Sequence, residues 1–514
     1  MDRSGWLRFW GGIAGVALIW LSGVSFAEAT SGIGEKKAWV VVTREMFEKG
    51  LAPLVEKRRE DGYSVTVSTK AVGETLAEMS ERPDFLLLVG DTEEGKEAEA
   101  WYIPNNMCEL YAYCREVEGK TFVSDAMYGD LDGDLVCDVP VGRLPVRHQH
   151  ELREIIRKIL AYENAEPSLA SLRLPIYAGS PCYGAFLDSM STQLLVGSLD
   201  KNAAPWLRAW TISADPIHPL CGWPAEQPRL FGEQLKAGGL MAVFMGHGNP
   251  HYFYSMDYNG ASVLYTREHA AGLGTSSVPA PPTVIFACYT GTFNGPEYCL
   301  AEALLFTAGG PVAVIAATTT SHPMTNYFSG MSLLRQTNRR HTCIGSLWLD
   351  TQKEARGARD FLMERVLLGA GGGDASNVDT EKVRRDHILL YALLGDPAMA
   401  MPFPEVLESE IRAEGKVWQW SAKRPEGASR LYVEFRVDGL KFPEVQLPLA
   451  NDSAMGNLEK ANEVFAFSPV AELSAGEAWE GQIEKPGILR LTAVGGKRIY
   501  VAAHKIQAQV AEGK

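Results

Sequence analysis

The chain carries no basic cluster to set against a formal charge of −14. That absence argues against binding nucleic acid through phosphate neutralisation. Beyond the first 29 residues no run of about 18 apolar residues occurs, so no stable membrane span is expected once a leader is removed. Zinc-type cysteine spacing is missing too: Cys108 and Cys114 are separated by five residues, where metal-binding pairs use two to four. Nor is there a low-complexity tract, and 46% hydrophobic with 22% charged residues is a globular composition, not a disordered one.

What is present begins with the amino terminus. Arg3 and Arg8 precede an apolar stretch, Gly11 to Val24, that is followed by Ala27-Glu28-Ala29. A basic start, an apolar centre too short for a full span and small residues at the cleavage positions predict a signal peptide over 1–29 and an exported protein. The eight cysteines (108, 114, 137, 182, 221, 288, 299 and 343) leave disulfide connectivity open in such a compartment. If Cys288 is to stay a thiol, at least one of the other seven is unpaired as well.

At 514 residues the chain exceeds one ordinary core. Apolar strand-like runs at 38–43, 64–68, 85–89, 174–178, 240–245, 283–287 and 311–316 alternate with helical spacing at 46–59, 151–163 and near 188–199. Continuous apolar strands between helices predict mostly parallel sheets covered on both faces, in two α/β subdomains over 36–130 and 131–404. From 405 to 514 short strands at 417–420, 431–437, 464–467 and 489–494, separated by turn residues, predict a small all-β sandwich that folds by itself.

Two apolar runs each end on a reactive side chain, with glycines beside the first and shortly after the second. Met241 to Met245 leads through Gly246 to His247 and Gly248, and Thr283 to Ala287 leads to Cys288. Ligands of open parallel sheets sit beyond the carboxyl ends of the strands. A thiol needs a base to become a nucleophile, and His247 can take its proton and later return it to a leaving amine. The backbone N–H groups of Gly248 and Cys288 are the natural oxyanion donors. Taken singly, Cys288 reads equally well as a structural cysteine and His247 as a loop histidine.

Further pieces carry a resemblance: LLLVGD (Leu86 to Asp91), SDAMYGDLDGD (Ser124 to Asp134), DVPVGRLP (Asp138 to Pro145), GHG (Gly246 to Gly248), ACYTGTF (Ala287 to Phe293), CLAEALL (Cys299 to Leu305), GPVAVIAATT (Gly310 to Thr319) and LLGDPAMAM (Leu393 to Met401). In this order, across Lys36 to Pro402, they resemble the gingipain family of cysteine peptidases (peptidase family C25, clan CD, caspase-like fold). The resemblance implies that His247 and Cys288 are a catalytic dyad and that the terminal module is immunoglobulin-like. It also implies that Asp188 occupies the position of an acidic residue that reads a basic P1 side chain; a helix-terminal aspartate is the other reading.

Three departures stand out. Gingipains carry a large propeptide, whereas here the first strand starts nine residues after the predicted cleavage point, so inhibition by a pro-segment is not expected. Gingipains keep an acidic residue near the histidine, where this chain has Gly179-Ser180-Pro181-Cys182; a backbone carbonyl or an unidentified group is expected to orient His247. Gingipains bind calcium, and Asp130, Asp132 and Asp134 are possible ligands, but Val141 stands where an EF-hand has its bidentate glutamate. A solvated Asp-Gly turn is the alternative for that loop. Glu302 is expected to cap or pair structurally, and Arg143 to pair with a preceding aspartate.

The resulting expectation is an exported cysteine endopeptidase that acts on peptide or protein substrates, after Arg or Lys, and needs no cofactor beyond a possible structural calcium. A sortase-like transpeptidase of the same family and a non-catalytic adhesion protein are the alternatives.

Overall fold

The computed structural model describes residues 36–507 except 115–119, 277, 372–376, 415–416, 438, 440, 446 and 448. The expected signal segment, 1–29, lies outside the described residues.

One ten-stranded sheet organises the chain up to Pro404. Numbering only its strands, they are β1 (Ala38–Val42), β2 (Ser64–Ser68), β3 (Phe85–Val89), β4 (Val141–Leu144), β5 (Arg173–Ala178), β6 (Arg208–Ser213), β7 (Ala242–Met245), β8 (Thr283–Phe286), β9 (Val314–Ala317) and β10 (Tyr391–Leu394). Their spatial order is β2-β1-β3-β4-β10-β9-β8-β7-β5-β6. Runs such as Thr283-Val284-Ile285-Phe286 are uncharged and largely apolar because both faces of the sheet are covered; all four residues are buried.

The sheet has two halves of opposite strand direction. Strands β1 to β4 are mutually parallel, as are β5 to β9. Strand β10 runs parallel to β4 through the single pair Leu394↔Arg143, but antiparallel to β9, so strand direction reverses at that line. The boundary expected at 130/131 therefore falls too early. Val141 to Leu144 pairs with Leu86 to Val89 and completes the first half.

The helices that flank the sheet or dock against its edge include α1 (Glu45–Glu60), α2 (Gln149–Asn164), α3 (Ala185–Asn202), α4 (Leu300–Phe306), α5 (Pro323–Gln336), α6 (Phe361–Ala370) and α7 (Asn451–Glu463). Both α3 and α6 pack on α5, forming a helical layer under the second half of the sheet.

After Pro404 a five-stranded and a three-stranded sheet enclose their own core, which includes Leu407, Trp420, Leu431, Trp479 and Leu491. The final strands, Gly487–Gly495 and Arg498–Ile506, pair within the larger of these sheets. The module is not all-β, however. Residues 464–467, expected as a strand, form the turn after α7, whose Leu458 and Ala461 join the main core. Asn462 on α7 accepts from Thr211 N–H at 2.6 Å and donates to Thr211 C=O at 3.0 Å, closing the free edge of β6. Buried Arg490 donates to Glu434, which also receives Arg208 at 2.7 Å. The module expected to fold by itself is docked on the α/β part through these buried polar groups. Short polar spacing hid α7: residues 451–463 carry few apolar side chains, and their partners lie on β6 and the 219–222 turn that follows it, far off in sequence.

Candidate active site

Because β7 and β8 are adjacent and parallel, with Met245 opposite Phe286, the residues that follow them emerge side by side. Past Gly246 the chain turns into a short hairpin, His247–Asn249 against Tyr252–Tyr258. His247 is exposed, and its Nε2 lies 3.0 Å from the carbonyl of Pro181. That carbonyl sits in the loop after β5, which is pinned from both sides. Gly179 N–H donates to Met245 C=O at 2.8 Å and Ser180 N–H to Ser255 C=O at 2.6 Å. If Nε2 donates to Pro181, the neutral ring keeps Nδ1 as its base.

Cys288 is placed with comparable firmness. Tyr289, immediately after it, has φ +60, a conformation a bulky side chain adopts only under constraint. Here Tyr289 N–H is held by Thr319 C=O at 2.9 Å and Gly291 N–H by Ala317 C=O at 2.8 Å. The sulfur faces two donors from the loop after β9: Ser321 N–H at 3.3 Å and Thr320 Oγ1 at 3.6 Å. An anionic sulfur would be met by both. Gly248 explains itself by close approach, since a Cβ there would lie 2.7 Å from Thr290 Cγ2 and 3.2 Å from Cys288 C=O. The two backbones expected to share an oxyanion are in contact only because residue 248 is glycine.

His247 and Cys288 line one cavity of about 380 Å³. Sequence reasoning missed Thr320 and Ser321, although they follow a strand at the same sheet edge. That position was the available signal; a backbone N–H has none of its own. The partner of His247 belongs to the class expected, a backbone carbonyl, in the loop where the carboxylate was missing.

Asp188 also lines the cavity, but both its oxygens are engaged: one accepts from Ser180 Oγ and the other from Tyr183 N–H, each at 2.9 Å. Of the three aspartates expected around a cation, Asp130 and Asp132 come together with Asp138 in place of Asp134. Asp134 turns to Val136 N–H, and Asp130 accepts from the N–H groups of Gly133, Asp134 and Leu135. Asp138 accepts from Leu131 N–H and pairs with Arg82 at 2.8 Å. Calcium takes six to eight oxygens, and this loop spends its carboxylates on its own amides and an arginine. The donor set does not fit the ion well. Glu302 accepts Cys299 N–H at 2.9 Å as a cap of α4. Arg143 pairs with Asp125. All eight cysteines are present as free thiols, and Cys182 is the exposed one.

Behind Ser321 lie two buried histidines. His322 caps α5 by accepting Met324 N–H at 3.1 Å, and His387 Nε2 meets Ser329 Oγ at 2.7 Å. Burial pushes their pKa down to about 4 and about 3. The unfolded chain binds these protons below about 6.5, whereas the folded one refuses them, so stability falls as the pH drops from there towards 4. For His322 alone this amounts to ~3 kcal/mol at pH 4. We expect His322→Asn, which keeps the capping acceptor, to flatten the decline in melting temperature between pH 6.5 and 4. Parallel melting curves for variant and wild type would contradict it.

Among known proteins, a family model described as peptidase family C25 matches residues 34–402. The fold is similar to a solved structure described as the Arg specific cysteine proteinase gingipain R (RgpB), with TM-score 0.50 and 14% identity over 93% of this chain and 99% of that one. It is similar to one described simply as a protease, with TM-score 0.52 and 15% identity over 91% and 97%. The complex of RgpB pro- and mature domains from Porphyromonas gingivalis aligns at TM-score 0.49 and 15% identity, over 91% of this chain and 100% of that one. No curated protein sequence matches the chain.

Proposed function

The chain belongs to peptidase family C25, and from that premise we propose an exported cysteine endopeptidase in which Cys288 is the nucleophile and His247 its base. The observation that supports this best is the delivery of both side chains from the ends of adjacent parallel strands into one cavity. His247, held through Nε2 by Pro181 C=O, takes the thiol proton. The sulfur then attacks the scissile carbonyl, and the N–H groups of Gly248 and Cys288 receive the oxyanion. The imidazolium protonates the leaving amine, and water deprotonated by the same ring releases the acyl group. Thiolate and imidazole supply this chemistry between them, so the proposal requires no cofactor, and the acidic loop at 130–138 is assigned to a self-bonded turn. Export rests on the residue pattern of 1–29. Among the described residues no helix is long and apolar enough to cross a membrane. The Arg or Lys preference is the part of the expectation the geometry favours least, because both Asp188 oxygens already serve the loop.

Incubating the full-length protein with quenched peptides in ¹⁸O-water, with and without added glycinamide, tests the reading. We expect ¹⁸O in the new carboxyl groups. Ligation to glycinamide in preference to water would make the protein a transpeptidase. Neither product would leave it a binding protein.

A further inference from the structure

The cavity beside Cys288 extends inward between α3, α5 and α6, and its walls have a consistent chemistry. Its apolar lining includes Met190, Leu194, Met331, Leu334, Val366 and Leu367, over a floor of Met245 and Phe286 from the strands that carry the two reactive residues. Gly330 brings α5 close to that floor: a Cβ there would lie 2.7 Å from Met245 Cε.

Several hydroxyls in the wall are occupied. Ser191 donates to Leu187 C=O at 2.8 Å, Ser198 to Leu194 C=O at 2.6 Å, and Thr192 pairs with Ser213 at 2.7 Å. A hydroxyl spent on its own helix offers a ligand mainly carbon. Among the described residues of the lining the one carboxylate is Asp188, with no lysine or arginine beside it, and its oxygens hold Ser180 and Tyr183. Those two residues flank Pro181, whose carbonyl holds His247.

We propose that this cavity is the subsite for a large apolar side chain on the acyl side of the scissile bond. Asp188 then positions the Ser180–Tyr183 loop and does not read a cation. The inference rests on the peptidase reading and names the substrate class of that same site. The volume, about 380 Å³, falls within the ~300–1,000 Å³ range of sites that enclose a ligand group. A guanidinium or ammonium entering it would lose its water without gaining a free carboxylate. A leucine, methionine or phenylalanine side chain gains from leaving water.

The test is a P1 scan of fluorogenic peptides on the full-length protein, with Leu, Met, Phe, Ala, Arg, Lys and Asp at P1 in an otherwise constant sequence. We expect kcat/KM for Leu, Met or Phe to exceed that for Ala, Arg, Lys and Asp at least ~10-fold, the scale on which apolar pockets discriminate. Met331→Trp, which fills the cavity, is expected to lower the Phe-to-Ala ratio at least ~10-fold. Asp188→Asn is expected to lower kcat for all substrates together and to leave the Leu-to-Arg ratio unchanged. Cleavage with Arg or Lys equal to or above the apolar residues, or an Asp188→Asn variant that selectively loses Arg cleavage, overturns this inference and leaves the peptidase reading intact. Failure to cleave any peptide, with Cys288 unreactive, overturns both.

Discussion

Replacing Cys288 by alanine is expected to cut peptide turnover by at least about a thousandfold while the fold survives. No other nucleophile is proposed, and the surroundings of the sulfur do not depend on it. Tyr289 and Gly291 are held by backbone carbonyls of residues 319 and 317, and those bonds remain in the variant. His247→Ala should cost a similar factor, and the double variant little more, because base and nucleophile act as one unit. The measurement is kcat/KM for the best peptide substrate of each protein, alongside circular dichroism to confirm folding. Activity of the Cys288→Ala protein within a hundredfold of wild type would remove that residue from the mechanism.

The largest effect on stability is expected at Arg143. Its side chain is fully buried on β4, the strand that meets β10 where the sheet changes direction. Asp125 receives Nε and Nη2 at 2.6 and 2.7 Å. The carbonyls of Gly90, Ile103 and Pro104 take the remaining donors at 2.9 to 3.1 Å. The guanidinium also lies over Phe293, five residues after Cys288, at 5.3 Å from the ring centroid. Truncation leaves a buried carboxylate and three carbonyls without donors, which costs roughly 3–5 kcal/mol. Lysine, with three donors and no planar fork, replaces only part of this. Urea unfolding of Arg143→Met and Arg143→Lys measures both. A loss below about 1 kcal/mol for Arg143→Met would show that the network is not critical.

The two candidate residues stand out in the sequence because an apolar strand that stops before a glycine-containing turn announces both its end and what the end carries. Met241 to Gly248 and Thr283 to Cys288 do so without help from the rest of the chain. Their adjacency follows from parallel β7 and β8, which the α/β alternation implies. Three other features depend on partners distant in sequence and were hidden for that reason. Strand β10 joins the two halves through register with Arg143 on one side and Val314 to Ala317 on the other. Ser321 contributes a backbone N–H to Cys288, a group every residue except proline possesses. Asp138 takes the place expected of Asp134 because the turn at Asp130 sends Asp134 towards Val136. Asp188 lines the cavity, yet the use of its oxygens depends on how the 180–183 loop folds, which residue types do not dictate.

Labelling with a peptidyl acyloxymethyl ketone, followed by intact mass and peptide mapping, tests the central claim most directly. The account predicts one equivalent of thioether, located on Cys288 and lost in the His247→Ala protein. Modification of another thiol, with exposed Cys182 the obvious competitor, or labelling that is indifferent to His247, would contradict it.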